Sequence, residues 1–321
     1  MDYCALGRGV RISRIVLGLG NVGGIGSAPE LFGKAGESGE EALALMDGAW
    51  AAGVTCFDTA ASYGGGRSET AIGTWLASRG HPVHVVTKVF FSVIGDRADR
   101  GLAPDRIRRE VEGSLRRLGL ERIDLYMIHE PDPDTQLGDT LEALDGLVRA
   151  GKVGAIGASN VDGAYLEEAF TVSAERGLAR FEWVQNEYNL LARGAEHDVF
   201  PICEREGLGF TPFSPLAGGW LTGKYRRGRA YPAGSRMTLR PGPYSELENE
   251  RTFDALEALE TAAHDRDVAS ATLALAWVLS HPRVTAAVVG PRRPEHLEPA
   301  IAAAGLALSP AERDELSAFF G

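Results

Sequence analysis

Residues 123–157 read IDLYMIHEPDPDTQLGDTLEALDGLVRAGKVGAIG, and they contain two short apolar runs separated by a stretch with helical periodicity. The runs Ile123–Ile128 and Val153–Gly157 are predicted to be buried strands, and Thr140–Ala150 carries apolar residues at the spacing of one helix face. Gly151 directly follows that segment, where a glycine commonly ends a helix. This order predicts a unit in which a helix connects two parallel strands.

The same alternation of short apolar runs and helical patterns extends along the rest of the chain. Eight such runs can be recognised, and eight parallel strands connected by helices close a barrel. The predicted strands are Ile15–Leu17, Val54–Phe57, Val83–Thr87, Ile123–Ile128, Val153–Gly157, Trp183–Gln185, Gly209–Thr211 and Ala286–Val289.

Segments with helical periodicity lie between these strands, and glycines stand just past most of them. Two further helical patterns follow the last strand, and no change of composition marks a domain boundary. We therefore expect an α/β fold, a (β/α)8 TIM barrel with a short N-terminal segment before the first barrel strand and extra C-terminal helices, formed by residues 1–321 as a single domain. The predicted helices are Glu40–Ala52, Ser68–Ser78, Pro104–Leu118, Thr140–Ala150, Gly163–Glu175, Ala195–Glu206, Leu247–His264, Ala269–Ser280, Pro294–Ala304 and Pro310–Phe320.

The charge and hydropathy of the chain argue against several classes of function. A formal net charge of −11 disfavours binding to nucleic acid or to anionic lipid, because both require a basic surface. The longest apolar segment, Leu273–Leu279, is too short to span a bilayer, and Met1–Arg14 contains no apolar leader, so we expect a cytoplasmic protein. The three cysteines, Cys4, Cys56 and Cys203, match no metal-ligand or redox spacing and are interpreted as buried or incidental thiols.

Residues 18–23, Gly-Leu-Gly-Asn-Val-Gly, match the G-x-G-x-x-G fingerprint of Rossmann folds and follow a predicted strand. In those folds a helix begins at the third glycine, so that its N-terminus meets the cofactor pyrophosphate. Here residues 24–29, Gly-Ile-Gly-Ser-Ala-Pro, follow instead and favour a loop. We interpret the segment as a glycine-rich loop after the first barrel strand, where a ligand can approach the backbone.

Polar side chains stand at the ends of the second, third and fourth predicted strands. Asp58 ends the second, Tyr63 lies in the loop after it, Lys88 ends the third and His129 ends the fourth. Each residue taken singly has an ordinary structural explanation, such as capping a loop or reaching solvent. Because the carboxyl ends of barrel strands form the active-site face, the four together predict a catalytic site.

The chemistry of these four residues is complementary. A carboxylate beside a buried ammonium keeps the lysine charged, and that charge is expected to lower the pKa of the phenol toward the working pH. Tyr63 would then protonate a carbonyl oxygen as a hydride reaches the carbon, while His129 orients the carbonyl. This chemistry requires no metal.

The ordered set F-D-T-A-x-x-Y-G, V-T-K and I-H, with Asp58, Tyr63, Lys88 and His129 at its polar positions, resembles the aldo-keto reductase family. Family-like segments cover nearly the whole chain. The resemblance implies NADPH-dependent reduction of an aldehyde or ketone to an alcohol. The other matching segments are Leu6-Gly7, Gly151-Lys152-Val153, Gly157-Ala158-Ser159-Asn160, residues 185–189, Phe213-Ser214-Pro215-Leu216, residues 221–225 and residues 290–295.

The resemblance also implies an extended NADPH across the carboxyl end of the barrel. Ser159, Asn160 and Gln185 match positions that hold the nicotinamide carboxamide, and Phe213 matches an aromatic residue that stacks on the ring. Arg292 matches a position at the adenosine 2′-phosphate, where a guanidinium can bind bidentately, so NADPH and NADP+ are expected rather than NADH. The remaining predicted cofactor contacts are Gly20, Asn21, Asp58, Ser214, Pro215, Leu216, Gly218, Lys224, Arg229, Gly290 and His296.

The adenine end departs from the family pattern. Pro299 and Ala300 stand where polar residues usually grip the adenine, and His296 replaces a glutamine. Recognition of the adenine must therefore be weaker, or shifted to stacking on Arg292 or Arg293, or made by the main chain. Of the nearby basic residues, Arg226, Arg227 and Arg229 either add to the phosphate site or form a solvated basic turn.

The substrate pocket is expected between the loops after the first four strands and the long segment Phe213–Glu246, which is rich in Gly, Pro, Arg and Tyr. A loop of this length inside a compact domain is usually functional. Mixed aromatic residues and one acid favour a bulky, partly apolar carbonyl substrate. The predicted lining residues are Val22, Phe32, Tyr63, Phe90, Phe91, His129, Glu130 and Trp220.

Two other functions remain open from the sequence. The first is an NADP-binding regulatory or redox-sensing subunit with slow turnover, since relatives of these reductases include β-subunits of potassium channels. The second, a metal-dependent hydrolase on the same barrel, would need clusters of His and Asp at several strand ends. Of the seven histidines, only His129 is suitably placed, so no metal is expected.

Overall fold

The computed structural model describes residues 1–6, 10–96 and 98–321. The chain begins with an antiparallel hairpin of β1 (Tyr3–Leu6) and β2 (Val10–Ser13). Ile12 of the hairpin is fully buried against the inward-facing side chains of the barrel strands. The predicted short N-terminal segment is therefore a hairpin that packs on the barrel interior, and Gly7 of the family-like Leu6-Gly7 segment lies outside the described residues.

The predicted barrel is confirmed. Its strands pair in parallel in the order β10-β3-β4-β5-β6-β7-β8-β9. The two ends of this sheet meet through backbone hydrogen bonds from Thr285 N to Phe210 O (2.8 Å) and from Val288 N to Pro212 O (2.9 Å), which close the barrel. The barrel strands are β3 (Ile15–Gly18), β4 (Cys56–Asp58), β5 (His84–Val89), β6 (Ile123–Ile128), β7 (Val153–Ser159), β8 (Trp183–Gln185), β9 (Gly209–Phe210) and β10 (Ala287–Val289).

Helices surround the barrel, and several of them pack directly on its strands. Their ends follow local capping chemistry: Ser38 and Glu41 form a capping box at the start of the first, and Gly119 ends the third in the left-handed conformation. The helices are α1 (Gly39–Ala51), α2 (Arg67–Arg79), α3 (Pro104–Leu118), α4 (Leu137–Arg149), α5 (Gly163–Arg176), α6 (Val199–Glu206), α7 (Arg236–Leu239), α8 (Glu250–Asp265), α9 (Ser270–Ser280), α10 (Glu298–Ala304) and α11 (Pro310–Phe320).

The segment Phe213–Glu246, predicted as one long loop, contains short helices. A 3-10 turn spans Ala217–Thr222, α7 follows, and a second 3-10 turn spans Gly242–Leu247. These elements lie after β9 and before α8, so the segment starts at the carboxyl end of the barrel. Within the described part of the chain, no helix is long and apolar enough to cross a bilayer.

Candidate active site

Four polar side chains converge at the carboxyl end of the barrel. Asp58 is the last residue of β4, Lys88 is the penultimate residue of β5, and His129 directly follows β6. Tyr63 opens a 3-10 turn after β4, in which Gly64 has a φ of 59° and a Cβ there would collide with the carbonyl oxygen of Val22. The structure thus brings together the four residues that the sequence analysis grouped.

Lys88 and Asp58 form a buried ion pair. The Lys88 Nζ donates to both carboxylate oxygens of Asp58, at 2.7 and 2.8 Å, and to the carbonyl oxygen of Thr59 at 2.9 Å. Only 1% of Lys88 is exposed. Gln185 Nε2 donates to Asp58 Oδ2 at 2.8 Å, so the carboxylate is held from a second side. All three ammonium protons have acceptors, which is what a buried cation requires.

This arrangement keeps the lysine charged. Burial lowers the pKa of Lys88, but the Asp58 carboxylate and Tyr63 raise it by more, so the net direction is upward. The ammonium lies 5.4 Å from the centroid of the Tyr63 ring. A fixed positive charge therefore stands beside the phenol.

The expectation that the phenol pKa is lowered is wrong for this structure. Burial raises the pKa of Tyr63 above its ordinary value, and the charge of Lys88 reduces that rise without cancelling it. Tyr63 is consequently a protonated phenol at neutral pH. The hydroxyl is a proton donor, and the lysine charge favours the anion that remains after donation.

His129 lies on the other side of the phenol. Its Nε2 is 3.5 Å from the Tyr63 hydroxyl oxygen, and the two rings meet edge to face. Burial and the Lys88 charge hold the pKa of His129 well below its usual range, so the imidazole is neutral. Its Nδ1 is buried and has no hydrogen-bond partner among the described residues. The ring of Phe91 packs edge to face on His129, with 5.0 Å between centroids.

A second buried network supports this site from behind, and the sequence analysis did not identify it. Thr87, next to Lys88, donates to Glu69 Oε1 at 2.6 Å, and Arg117 donates to Glu69 Oε2 at 2.6 Å. Glu69 has no exposed surface. The signal in the sequence was weak, because Glu69 falls on a helix pattern where an acid is usually solvated.

The three residues matched to a carboxamide site lie beside the tetrad. Ser159 Oγ donates to the carbonyl oxygen of Gln185 at 2.6 Å, and Asn160 Nδ2 donates to the carbonyl oxygen of His129 at 2.9 Å. Asn160 is held in the left-handed region, with a φ of 55°. A non-glycine residue in that region is uncommon outside functional sites and turns. The residue is exposed, and its Nδ2 also lies 3.3 Å from Ser159 Oγ.

Unusual backbone follows at the start of the long segment. Ser214 and Ala217 have positive φ values of 49° and 47°, and Gly218 and Gly219 continue this conformation. Turns of this kind can orient backbone N–H groups toward an anion. Within this one, the N–H groups of Ala217 and Gly219 donate to the carbonyl oxygens of Ser214 and Leu216, both at 2.8 Å. Ser214, Leu216 and Phe213 are half-buried, whereas Pro215 is buried. This is the stretch matched to the nicotinamide face and the pyrophosphate.

Three cations stand around this backbone. Burial, together with the charges of Arg236 and Arg292, lowers the pKa of Lys224. Arg236, which the sequence analysis did not assign, donates to Asn21 Oδ1 at 2.8 Å. In a chain with a net charge of −11, such a cluster fits a polyanion. The residues present therefore fit the phosphates of a dinucleotide.

The neighbouring arginines have other partners. Arg226 pairs with Glu260, and Arg227 pairs with Glu257 and other acids of α8. Both therefore tie the long segment to α8, which favours the structural alternative for them. Arg229 is exposed.

The adenine end agrees with the departures noted in the sequence. Ala300 has no exposed surface and packs in the core, and Pro299 is half-buried at the start of α10. His296 Nδ1 accepts a hydrogen bond from Arg292 N at 3.4 Å, so this ring supports the β10 end. Gly20 lies against the Tyr63 ring, and Gly290 lies near Asn21.

The predicted substrate residues divide into two groups. Phe91 and Glu130 are half-buried beside His129, and burial raises the pKa of Glu130. Val22 and Phe90 are nearly fully buried. Trp220 has no exposed surface and packs in the main hydrophobic core, against Tyr225, Tyr231 and Phe253.

A cavity of about 670 Å³ lies among the loops that follow β7 and β8, and none of the four tetrad residues lines it. Its wall includes Asn160, whose amide touches the main chain of His129. The other polar residues of the wall are Asp162, Tyr165, Asn186, Glu187 and Asp198.

Known proteins share this fold and sequence pattern. Residues 14–319 match the model of the Aldo/keto reductase family. The chain is 37% identical to the "Uncharacterized oxidoreductase YrpG" of Bacillus subtilis, over 96% of this chain and 92% of that protein. It is 34% identical to a "Probable voltage-gated potassium channel subunit beta" of Oryza sativa, over 90% and 87%. The solved structure of the glycerol dehydrogenase AKR11B4 from Gluconobacter oxydans superimposes with a TM-score of 0.82 at 28% identity, covering 99% of this chain and 94% of that one.

Proposed function

Because the chain belongs to the aldo/keto reductase family, whose members are oxidoreductases that use nicotinamide cofactors, we propose that it reduces an aldehyde or ketone to an alcohol with NADPH. One observation carries the proposal: the Tyr63 hydroxyl is placed between a charged Lys88 and a neutral His129. A protonated phenol, a fixed cation and a neutral hydrogen-bonding ring are the groups that carbonyl reduction requires.

In the proposed reaction Tyr63 is the general acid. The nicotinamide, when bound, supplies a hydride to the carbonyl carbon. The Tyr63 hydroxyl gives its proton to the carbonyl oxygen, which forms the alcohol and leaves a tyrosinate. Lys88 stabilises that anion through its positive charge, and Asp58 keeps the lysine charged and in place. A proton from solvent then restores the phenol.

His129 is proposed to orient the substrate. Its depressed pKa keeps the ring neutral, so it donates one N–H to the carbonyl oxygen and does not compete with Tyr63 as the acid. The same oxygen would lie within reach of both groups, since only 3.5 Å separates Nε2 from the phenol oxygen. Ser159, Asn160 and Gln185 would hold the carboxamide on the adjacent side.

The cation cluster supports NADPH as the cofactor. Lys224 lies against Gly219, and Arg236 opens α7, which packs on the Ala217–Thr222 turn, where the pyrophosphate would bind. Arg292 follows the last residue of β10 by three positions, where a 2′-phosphate would bind. Phosphate oxygens and guanidinium groups form strong, charge-assisted hydrogen bonds. The affinity for NADPH should therefore fall as the salt concentration rises.

The activity is tested by following NADPH oxidation with a panel of aldehydes and ketones, for the wild type and for Tyr63→Phe. General acid catalysis contributes about 10² to 10⁴-fold, so Tyr63→Phe should lower kcat by that factor while the Kd for NADPH stays unchanged. Tyr126→Phe is the control, because it removes a tyrosine hydroxyl that is fully buried and has no hydrogen-bond partner among the described residues. Full activity in Tyr63→Phe would exclude Tyr63 as the proton donor.

The similarity to a potassium-channel β-subunit favours a second candidate, an NADP-binding regulatory or redox-sensing subunit with slow turnover. The same panel separates the two functions. A protein that binds NADPH, yet oxidises it no more than once per active site across the whole panel, would support the regulatory function. Multiple turnovers with any carbonyl substrate support the reductase.

A further inference from the structure

A buried carboxylate reaches the cation cluster from the first barrel loop. Glu37 directly precedes the N-cap of α1 and is only 4% exposed. Its Oε1 accepts a hydrogen bond from Arg292 Nε at 2.7 Å. Arg292 Nη1 in turn donates to the carbonyl oxygen of Gly234 at 2.7 Å. The guanidinium of Arg292 thus joins the β3–α1 loop to the long segment across the end of β10.

Glu37 is the internal counter-ion of the cluster. Among the described residues, the only ion pair that Lys224, Arg236 or Arg292 makes is the one between Arg292 and Glu37. Burial raises the pKa of Glu37, and the hydrogen bond and charge of Arg292 oppose that rise. The second carboxylate oxygen, Oε2, is buried and has no partner among the described residues. This oxygen has an unused acceptor site beside an anion-binding cluster.

The pairing limits what Arg292 offers to a ligand. A guanidinium binds a phosphate strongly when two N–H groups on one edge face two oxygens. Glu37 takes the N–H of Nε, and Gly234 takes one of the two N–H groups of Nη1. The Nε–Nη2 edge is therefore not free to bind two phosphate oxygens, and the Nη1–Nη2 edge is partly engaged. A dianionic phosphate would also be repelled by the carboxylate beside it. The free ribose 2′-hydroxyl of NADH would instead be attracted to Glu37, because a carboxylate accepts a hydrogen bond from a hydroxyl.

We infer that Glu37 is a specificity-determining residue for the cofactor, which competes with the adenosine 2′-phosphate for Arg292 and so reduces the preference for NADPH over NADH. The inference rests on the proposed function, since the ligand is the nicotinamide cofactor of that reaction. Replacing the carboxylate with its neutral amide frees the Nε–Nη2 edge and removes the repulsion. This substitution should strengthen binding of nucleotides that carry a 2′-phosphate and leave the binding of nucleotides without it unchanged.

Binding of nucleotide fragments tests this directly. The Kd values of 2′,5′-ADP and 5′-AMP are measured by calorimetry for the wild type, Glu37→Gln and Glu40→Gln. We expect Glu37→Gln to bind 2′,5′-ADP about tenfold more tightly and 5′-AMP within about threefold of the wild type, consistent with one added charge-assisted contact. Glu40→Gln removes the same charge from an exposed position in the first turn of α1 and should change neither Kd.

A second variant keeps the test decisive. In an Arg292→Gln background, Glu37→Gln should not change the Kd of 2′,5′-ADP, because the guanidinium for which Glu37 and the phosphate compete is absent. Weaker binding of 2′,5′-ADP by Glu37→Gln would mean that Glu37 positions Arg292 for the phosphate, and it would overturn the inference. An unchanged ratio of the two Kd values would also overturn it.

The same measurements separate this inference from the proposed function. If intact NADPH and NADH both fail to bind the wild type, the proposed function and the role of Glu37 fail together. If both cofactors bind and support turnover, but Glu37→Gln leaves the ratio of their Kd values unchanged, only the role of Glu37 fails. Melting temperatures of the variants identify any loss of folding.

Discussion

Replacing Asp58 with asparagine should destabilise the protein by about 3–5 kcal/mol at pH 7. The change removes the charge that holds Lys88, a side chain that is only 1% exposed. In the wild type the ammonium donates to both Asp58 oxygens and to Thr59 O, at 2.7 to 2.9 Å. The asparagine keeps one acceptor oxygen, for which Gln185 Nε2 and Lys88 then compete.

The magnitude follows from two opposing terms. With an effective dielectric constant of about 20, Coulomb's law gives an attraction of roughly 5–6 kcal/mol for unit charges about 3 Å apart. The cost of burying both ions offsets much of that attraction in the wild type, so the net value of the pair is small. Removing one partner leaves the burial cost of the other uncompensated, which is why the expected loss is several kcal/mol.

The loss of stability caused by Asp58→Asn should become smaller as the pH rises. In the wild type the folded-state pKa of Lys88 is raised above its unfolded value, so the stabilisation is complete below about pH 10 and is lost above it. In Asp58→Asn burial dominates and the folded-state pKa of Lys88 falls below the unfolded value. The unfolded variant then binds more protons, so its stability rises with pH. The difference between the two proteins should therefore shrink from pH 7 to pH 10.

Urea unfolding followed by tryptophan fluorescence at pH 7, 8.5 and 10 measures this difference. The double variant Asp58→Asn/Lys88→Met is the control, because it removes both charges and should regain part of the lost stability. A loss below about 1 kcal/mol at pH 7, or a loss that is equal at all three pH values, would refute the uncompensated-charge explanation.

Two further outcomes follow from the same site. Alcohol oxidation requires Tyr63 as a tyrosinate, and burial raises the pKa of this phenol. The kcat/KM for oxidation should therefore rise about tenfold per pH unit between pH 7 and pH 10, while the kcat/KM for reduction stays constant. A plateau near pH 8 in the oxidation profile would contradict the raised pKa. Arg236→Met should raise the Kd for NADPH about tenfold, measured by fluorescence titration, because it removes a half-buried cation from the phosphate cluster. Arg226→Met, which removes a cation paired with Glu260, should leave that Kd unchanged.

The barrel could be predicted because its strands are short, apolar and separated by clear helical periodicity. Ile123–Ile128 and Trp183–Gln185 have the predicted bounds. The N-terminal hairpin could not be found in the same way, since its strands are only four residues long and include charged and polar residues such as Arg11 and Ser13. The pairing of these two strands and their burial against the barrel interior depend on the tertiary structure and have no local sequence pattern.

Helix starts were misplaced where capping overrides periodicity. The apolar pattern suggested that one helix begins at Leu247, but α8 begins at Glu250, because the Asn249 side chain accepts a hydrogen bond from Thr252 N and Leu247 ends a separate 3-10 turn. Likewise α6 begins at Val199 and not at Ala195, which lies in its own short turn.

The tetrad was predictable because parallel strands place their carboxyl ends on one face, so three polar strand ends and the loop that carries Tyr63 meet whatever the details of packing. Contacts across that face were not predictable. Arg236 with Asn21, and Arg292 with Glu37, join residues more than two hundred positions apart in sequence through side chains. Neither pair has a local pattern, because an arginine in a basic loop and a glutamate before a helix are both ordinary surface residues.

The pKa of Tyr63 shows where reasoning from residue types ends. A lysine beside a phenol lowers the phenol pKa, and burial raises it, so the sign depends on which effect is larger. Burial cannot be read from the motif, and here it is larger. The raised pKa of Tyr63 affects the two directions of the reaction differently. A phenol that is protonated at neutral pH can donate its proton in carbonyl reduction, whereas in alcohol oxidation that proton must first be removed. Reduction at neutral pH therefore starts from the protonation state that the site already holds, whereas the rate of oxidation depends on the small fraction of tyrosinate and rises with pH.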